Sequence, residues 1–547
     1  MNSKLRIETN VRRLINYIED IEKGLVQIPA FQRDFVWTQK DKLELFESLK
    51  KEYPIGSILF WKPDESFGKI EKFGPYYIPQ TNDTRTYILD GFQRLSTLFG
   101  CLVNPHKTQL RYDKDQWKKE YAICYDLDTE EFFFPRTQPT EPHQVYLYRL
   151  VDTFEFLSYS QELLQSSTDP SQAREYIERA KTLSSTLLDF RLANIEITGG
   201  SIEEAVDIFS RINSKGSQIS PDWMVSALSY NENRNFRLGS IIDKLLADLE
   251  YYNFSRIKRD LVLQCITHSF GKAYFDQSSH IETLARRADF IPTAEKTIKS
   301  IKKAVDFLFC ELKVIDSKLL PYNNQLIFIT DFFNTLVHPS PAQLDELKRW
   351  FWITTYVSYF TIYSLSKQRA AYERFRQFLD GKIDDPIYNN KPDVPFSVVD
   401  FPSKVYFGSV RAKALVLFLL HHAYGPSKLE VGNVKGLNMN YLFYDVFDET
   451  GNHYPESVIP TIDFQASGDF QEPGAKSSRE KIKDMSSSLE VYHLLKRNLD
   501  PFFLTAQMAD DYQKNPENKL GIIQNRKNLI MQAEKAFTEN LGLVYES

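Results

Sequence analysis

The stretch TYILDGFQRLSTLFGCLV, Thr86 to Val103, constrains this chain more than any other. A short β-prone run ends at Asp90-Gly91, and Leu95, Leu98, Phe99 and Leu102 then recur at i, i+3, i+4 and i+7, the spacing of a helix packed on a sheet. The pattern predicts a strand, a tight turn and a helix. Asp90 is placed to cap that helix, Gly91 lets the backbone turn and leaves room for close approach, and the free amides of the first turn then face whatever lies in front. Such a place suits a phosphate. Arg94 introduces a conflict, because a cation in the first helical turn meets the positive end of the dipole and costs some tenths of a kcal/mol when unpaired. A bound anion resolves it, clasped by the guanidinium and the turn amides with Gln93 adding a neutral donor and acceptor. A structural carboxylate elsewhere in the domain resolves it equally well.

Two further segments carry arginines in ordered surroundings. In QIPAFQRDFVW, Gln27 to Trp37, the apolar side chains Ile28, Phe31, Phe35 and Trp37 anchor a loop around Arg33, and Pro29 stiffens its approach. Anchoring of this kind holds a guanidinium at low entropic cost, which suits recognition of an oxyanion and equally suits a structural arginine. In IFSRINSKGSQISPDWM, Ile208 to Met224, the helix is expected to end near Asn213, with Gly216 as its C-cap and Ser220-Pro221-Asp222 opening the next helix. Arg211 and Asn213 remain as polar groups able to reach a ligand in the corner between those helices. Spacing alone does not decide between that role and a structural one.

The 547 residues exceed one small module and correspond to three or four domains of about 150 residues, or two if one is large. Forty Phe, 30 Tyr and six Trp supply large packed cores and exclude wholesale disorder. A net charge of −6 gives no global positive field, so contact with nucleic acid or an anionic membrane must come from local patches. Cys101, Cys124, Cys265 and Cys310 lie far apart without a CxxC pair, which argues against a disulfide framework or a zinc ribbon. The N-terminus carries Lys4, Arg6, Glu8, Arg12 and Arg13 before any apolar run, so no secretory signal is read and the cytoplasm is the expected compartment. The uncharged stretch Trp350 to Ser366 is shorter than the roughly 20 residues that span a bilayer and is expected to form a buried helix.

The fold class expected is α+β. Strands are predicted at Ser57–Trp61, Thr86–Leu89, Tyr121–Tyr125, Phe132–Phe134 and Ala193–Ile197, with helices at Asp41–Glu52 and Ile202–Ile212. Residues 1–230 form the first domain in this reading, 231–420 a helical bundle, and 421–547 a small, mostly helical C-terminal domain. Lys296, Lys299, Lys302 and Lys303 line the side of one bundle helix opposite its apolar stripe, a solvated face or a contact to DNA backbone. The sequence ASGDFQEPGAKSSR, Ala466 to Arg479, reads as a linker, and Lys481 to Leu543 as helical.

Taken in order, IPAFQRDFVW, LDGFQR and FSRINSKG resemble the recurring IPxFQRxFVW, DGQQR and FxRINxxG segments of the N-terminal domain family of GmrSD-type restriction endonucleases. The resemblance covers about the first 230 residues and implies a fold similar to ParB and sulfiredoxin proteins. It further implies a DGQQR-like turn that binds nucleoside triphosphate and supports its hydrolysis, Mg2+ as a companion ion, and a role in defence against phage or foreign DNA. By the match Asp90, Gln93 and Arg94 carry over as catalytic residues, with Asp90 also as metal ligand. Gln32, Arg33, Gly91, Arg211 and Asn213 carry over as nucleotide-binding residues. Phe92 departs from the family, which usually has Gln there, and removes one hydrogen-bonding group.

Relatives often continue into an HNH-type nuclease domain that needs a His general base and a metal held by His, Asp or Asn. The C-terminal third offers His421, His422, His453 and His493 without convincing ligand spacing, so that domain is expected to be lost, replaced or degenerate. Glu346-Leu347-Lys348 superficially resembles the end of a PD-ExK motif, but such tripeptides are common on charged helices. GxxxxGK[ST], GxSxG and HExxH are absent. Three readings follow as expectations: an NTPase of a restriction system whose hydrolytic cycle gates action on DNA by the helical and C-terminal parts, with DNA endonuclease activity left open; a non-catalytic nucleotide or DNA sensor that recruits or regulates a separate nuclease; or a structural protein whose arginines are all satisfied internally. DNA, a nucleotide, a partner nuclease or methyltransferase and a second copy of the chain are the expected partners, and a membrane is not.

Overall fold

Alternating apolar and polar runs in the first 200 residues assemble into one six-stranded sheet, with helices on both of its faces. The computed structural model describes residues 5–29, 32, 35–64, 69–79, 86–136, 138–139, 141–166, 169–213, 225, 229, 236–271, 283–425, 443–445, 454–456, 458–460, 500–515, 517 and 519–545. Two compact units divide the chain, Met1–Ser240 and Ile241–Ser547. The strands of the first and the helices of the second make the molecule α+β.

The first unit opens with β1 (Arg6–Arg13), α1 (Leu14–Glu22), β2 (Val26–Pro29), α2 (Gln39–Lys50) and β3 (Ile58–Lys62). Short strands β4 (Lys69–Ile70), β5 (Lys72–Phe73) and β6 (Tyr76–Tyr77) precede β7 (Thr86–Asp90) and α3 (Phe92–Leu102). A small layer follows, built of α4 (Lys114–Glu120), β8 (Cys124–Asp126), β9 (Glu131–Phe133), β10 (Gln144–Tyr146) and α5 (Leu147–Val151). Helices α6 (Thr153–Ser166) and α7 (Pro170–Asp189) then lead to β11 (Arg191–Thr198) and α8 (Ile202–Asn213).

Strand order in the main sheet is β1-β11-β3-β7-β2-β4. β3 runs parallel to β11 and antiparallel to β7, so the end of β7 lies beside the start of β3. Because successive side chains alternate faces, Ile58, Phe60 and Ile88 join the core shared with α1 and α3, while Leu59, Trp61, Leu89 and Ile197 join Ala205 and Phe209 of α8. Leu14, Tyr17, Ile18 and Ile21 fill the buried face of α1 at helical spacing. Thr38 and Asp41 close a capping box that fixes the start of α2.

Most predicted elements shift only at their ends. The strand expected at Tyr121–Tyr125 begins later, at Cys124, because Tyr121 ends α4 and its ring occupies the space beside Gly100, where a Cβ would lie 2.2 Å from it. β1 was not foreseen: RIETNVRR is mostly charged or polar, and it is held by pairing with β11 over all eight residues rather than by burial.

In the second unit, helices Arg259–Ser269, Phe290–Cys310, Asn323–Thr335, Pro341–Tyr356, Leu365–Leu379 and Val410–Tyr424 carry the core. The stretch expected as one buried helix from Trp350 to Ser366 is broken, since Ser358 takes a left-handed conformation at φ 52° and starts the separate turn Tyr359–Ile362. Among the described residues no helix is long and apolar enough to cross a membrane. Lys296, Lys299 and Lys303 are exposed, and Lys302 pairs with Asp248. The end of the chain packs back on this bundle. Leu415, Phe418 and Leu419 of Val410–Tyr424 share a cluster with Phe503 and with Ile530 of helix Lys519–Asn540. Residues 466–479 and 481–499 lie outside the described residues.

Candidate functional site

Strand β7 ends with an irregularity. Leu59 pairs with Asp90 and the next residue, Phe60, pairs with Ile88, so Leu89 is the extra residue of a bulge that re-aims the end of the strand. Gly91 then turns the chain at φ 86°, a conformation open to glycine, and a Cβ there would lie 2.2 Å from the Ile58 side chain. Helix α3 starts directly after it. The N-cap is Gly91, which has no side chain to satisfy the first-turn amides.

The expected cap by Asp90 is therefore corrected. Its carboxylate points instead to Arg94, one turn along, where the Nη2 group donates at 3.2 Å. The same guanidinium donates to two main-chain carbonyls ahead of β3, Ile55 O at 2.6 Å and Ser57 O at 2.9 Å. Gly56 makes room for it: a Cβ at that position would meet Nη1 at 2.6 Å. The dipole conflict read from the sequence is answered within the domain, by one carboxylate and two carbonyls. Burial pushes the Arg94 guanidinium below its ordinary value, and Asp90 acts against that shift. The pair is still not sealed, since Arg94 is 16% exposed and Asp90 38%.

Gln93 and Gln32 turn out to be braces. The Gln93 side-chain oxygen Oε1 accepts from the backbone amides of Val36 at 3.0 Å and Trp37 at 3.3 Å. Gln32 Nε2 donates to Ile88 O at 3.1 Å and Leu89 O at 3.2 Å. Each glutamine thus ties the loop after β2 to the β7–α3 unit, and both are buried. Phe92 packs edge-on against Phe35 and Phe73 in the aromatic core, so the position where the resemblance leads to the expectation of a polar side chain faces inward.

Of the remaining expected residues, Arg211 is exposed and pairs with Asp207 one turn earlier at 3.1 Å. β11 runs opposite to β7 and α8 returns across the sheet, which brings the end of α8 back toward the Asp90 end. Asn213 is the last residue of that helix, and its side chain, like Arg33, His453 and His493, lies outside the described residues. Among the described residues no group of three or more His, Cys, Asp or Glu is arranged to hold a metal.

Residues 14–228 match the family described as the GmrSD restriction endonuclease, N-terminal domain. This part of the chain is a GmrSD-type domain. The match spans α1 through α8 and includes the β7–α3 turn, while β1 lies just ahead of it. An uncharacterized protein of Methanocaldococcus jannaschii is similar to the chain at 22% identity over 458 residues, covering 75% of each sequence. That similarity extends beyond the GmrSD-type domain into the helical unit.

The second unit offers no comparable turn among its described residues. A cavity of about 280 Å³ lined by Arg349, Arg374, Asp385 and Asn389 has its two arginines bridged by Asp385, with Glu346 also on Arg349. His421 packs against Trp352 and Phe537, and His422 stacks on Phe503. Burial lowers the basicity of both imidazoles. Glu346 pairs with Arg349, and Lys348 with Glu311 and Asp345, so the Glu346-Leu347-Lys348 tripeptide is taken up by helix-surface ion pairs.

Proposed function

We propose that the protein is the NTP-dependent component of a restriction system acting on foreign DNA, with the nucleotide bound at the β7–α3 turn. The observation that carries this reading is the start of α3, where Gly91 leaves the first-turn amides without a side-chain cap inside a GmrSD-type domain. Such amides, at the positive end of a helix, suit a phosphoryl oxygen. Arg94 then acts as a positioning residue, holding the 55–57 segment and Asp90 in place. Asp90, more than a third exposed, is the carboxylate that would hold Mg2+ beside the phosphates, and one carboxylate is an ordinary protein share for this ion. The ion would neutralise charge on the phosphate oxygens. Arg33, Arg211 and Asn213 are assigned to the nucleotide by family resemblance.

A second reading is favoured by Phe92 and Gln93. The first offers no polar group and the second has its carbonyl engaged by Val36 and Trp37, which leaves Asp90 as the carboxylate at the turn. In that reading the domain binds nucleotide as a sensor and a partner nuclease cuts. Turnover of nucleoside triphosphates by the full chain, with and without DNA, separates the two. Hydrolysis that falls at least 100-fold in Asp90→Asn, with nucleotide binding retained, supports the enzyme. Binding without turnover supports the sensor, and absence of binding removes both.

A further inference from the structure

β1 stands at the end of the six-stranded sheet, paired with β11 from Arg6↔Thr198 to Arg13↔Arg191 and with no strand on its other side among the described residues. Directly opposed residues of an antiparallel pair share a face. Ile7, Thr9 and Val11 therefore lie on the face of Ile197, Ile195 and Ala193, the side that α8 covers. The cover stops short of the edge. Leu5 and Ile195 still pack against the α8 cluster, whereas Ile7 is 50% and Val11 59% exposed. Glu8, Asn10 and Arg12 occupy the opposite face. An eight-residue edge with apolar side chains and outward main-chain groups is a template for one more strand.

The charge pattern of β1 selects that strand. Antiparallel pairing of β1 with itself, with α8 on the same side of both copies, opposes residues of equal parity and so centres on a single residue. Centred on Thr9, it sets Arg6 against Arg12 of the other copy twice, and like charges directly opposed are destabilising. Centred on Val11, it shortens the contact and pairs no opposite charges. Centred on Asn10, it places Glu8 opposite Arg12 twice and Thr9 opposite Val11 twice, with Ile7 against the stem of Arg13. The present partners leave room for the exchange. Glu8 meets Arg6 in an exposed pair, and Arg12 uses Nη1 for Asp20 while its guanidinium lies over the Tyr17 ring.

We propose that two copies of this chain associate through β1, antiparallel and centred on Asn10, so that one continuous sheet runs through both. This association is independent of what the β7–α3 turn binds. Opposed residues of such a pair have Cα atoms about 4.5–5.5 Å apart, within reach of a disulfide. The four native cysteines are buried and leave introduced thiols to report alone.

The test uses the full chain. Asn10→Cys is expected to give a covalent dimer under mild oxidation, reversed by reductant. Thr9→Cys or Val11→Cys alone stays monomeric on a non-reducing gel, and a mixture of those two crosslinks. Sedimentation equilibrium is expected to show a dimer for the wild type and association at least about 10-fold weaker for Glu8→Arg or Arg12→Glu. Mixing these two variants restores the dimer, which a folding defect in either would not do. A wild type that stays monomeric at about 100 µM overturns the proposal. A dimer trapped by Thr9→Cys as readily as by Asn10→Cys, or not restored on mixing, overturns it as well.

Discussion

Arg94 carries more of the site's architecture than any neighbour, because one guanidinium holds Ile55 O, Ser57 O and Asp90 together. Arg94→Ala strands both carbonyls and is expected to lower the stability of the first unit by about 2–4 kcal/mol, read by urea unfolding followed through tryptophan fluorescence. Lys in its place keeps the charge and loses the fork, so it should recover only part of that loss. The sequence showed that Arg94 needed a partner and left open whether it was an anion or an internal group. Two of its three partners are main-chain carbonyls, which any residue type supplies, so only Gly56, the position that leaves the guanidinium its space, held a trace of the answer. The cap differs from its expectation for a related reason. Asp commonly caps helices, but here the bulge at Leu89 and the left-handed Gly91 give the N-cap position to the glycine and turn Asp90 toward Arg94.

At the level of elements, β7, α3, α2 and α8 were legible because each shows a period that only one secondary structure satisfies. The loop between β2 and α2 showed its apolar anchors in the sequence but not the polar ties of its described residues. Its apolar residues are only part of the answer, because Gln32 and Gln93 bind it to β7 and α3 through backbone groups. Gln93→Ala is accordingly expected to speed hydrogen exchange at the Val36 and Trp37 amides by 10-fold or more while leaving the α3 interior protected. Mass-spectrometric exchange across residues 32–42 reads this directly. A larger effect on nucleotide affinity than on that exchange would instead make Gln93 a direct ligand. The sequence hides β1 because its alternation carries only two large apolar residues, Ile7 and Val11, among charged and polar ones, and its partner β11 lies far along the chain.

At the scale of the molecule, the second unit is closed by a buried ion pair. Arg411 donates from Nη1 and Nη2 to the two carboxylate oxygens of Glu534 at 2.7 and 2.6 Å, and from Nε to Val399 O at 2.8 Å. Tyr356 and Tyr545 donate their hydroxyls to the same carboxylate at 3.1 and 3.2 Å, and Glu534 itself is fully buried. Removing one charge leaves the other unanswered in the core, so Glu534→Ala is expected to cost about 3–5 kcal/mol in the unfolding of this unit. A double change to Arg411→Met and Glu534→Leu should recover most of that loss, which calorimetry on the full chain can measure. The members of this pair stand 123 residues apart. A ribosome therefore releases the helix that bears Arg411 well before the carboxylate that completes it. For the seconds this takes at about 5–20 residues per second, the apolar flank of Leu415, Phe418 and Leu419 lacks its final cover, and the emerging bundle is then most in need of a chaperone.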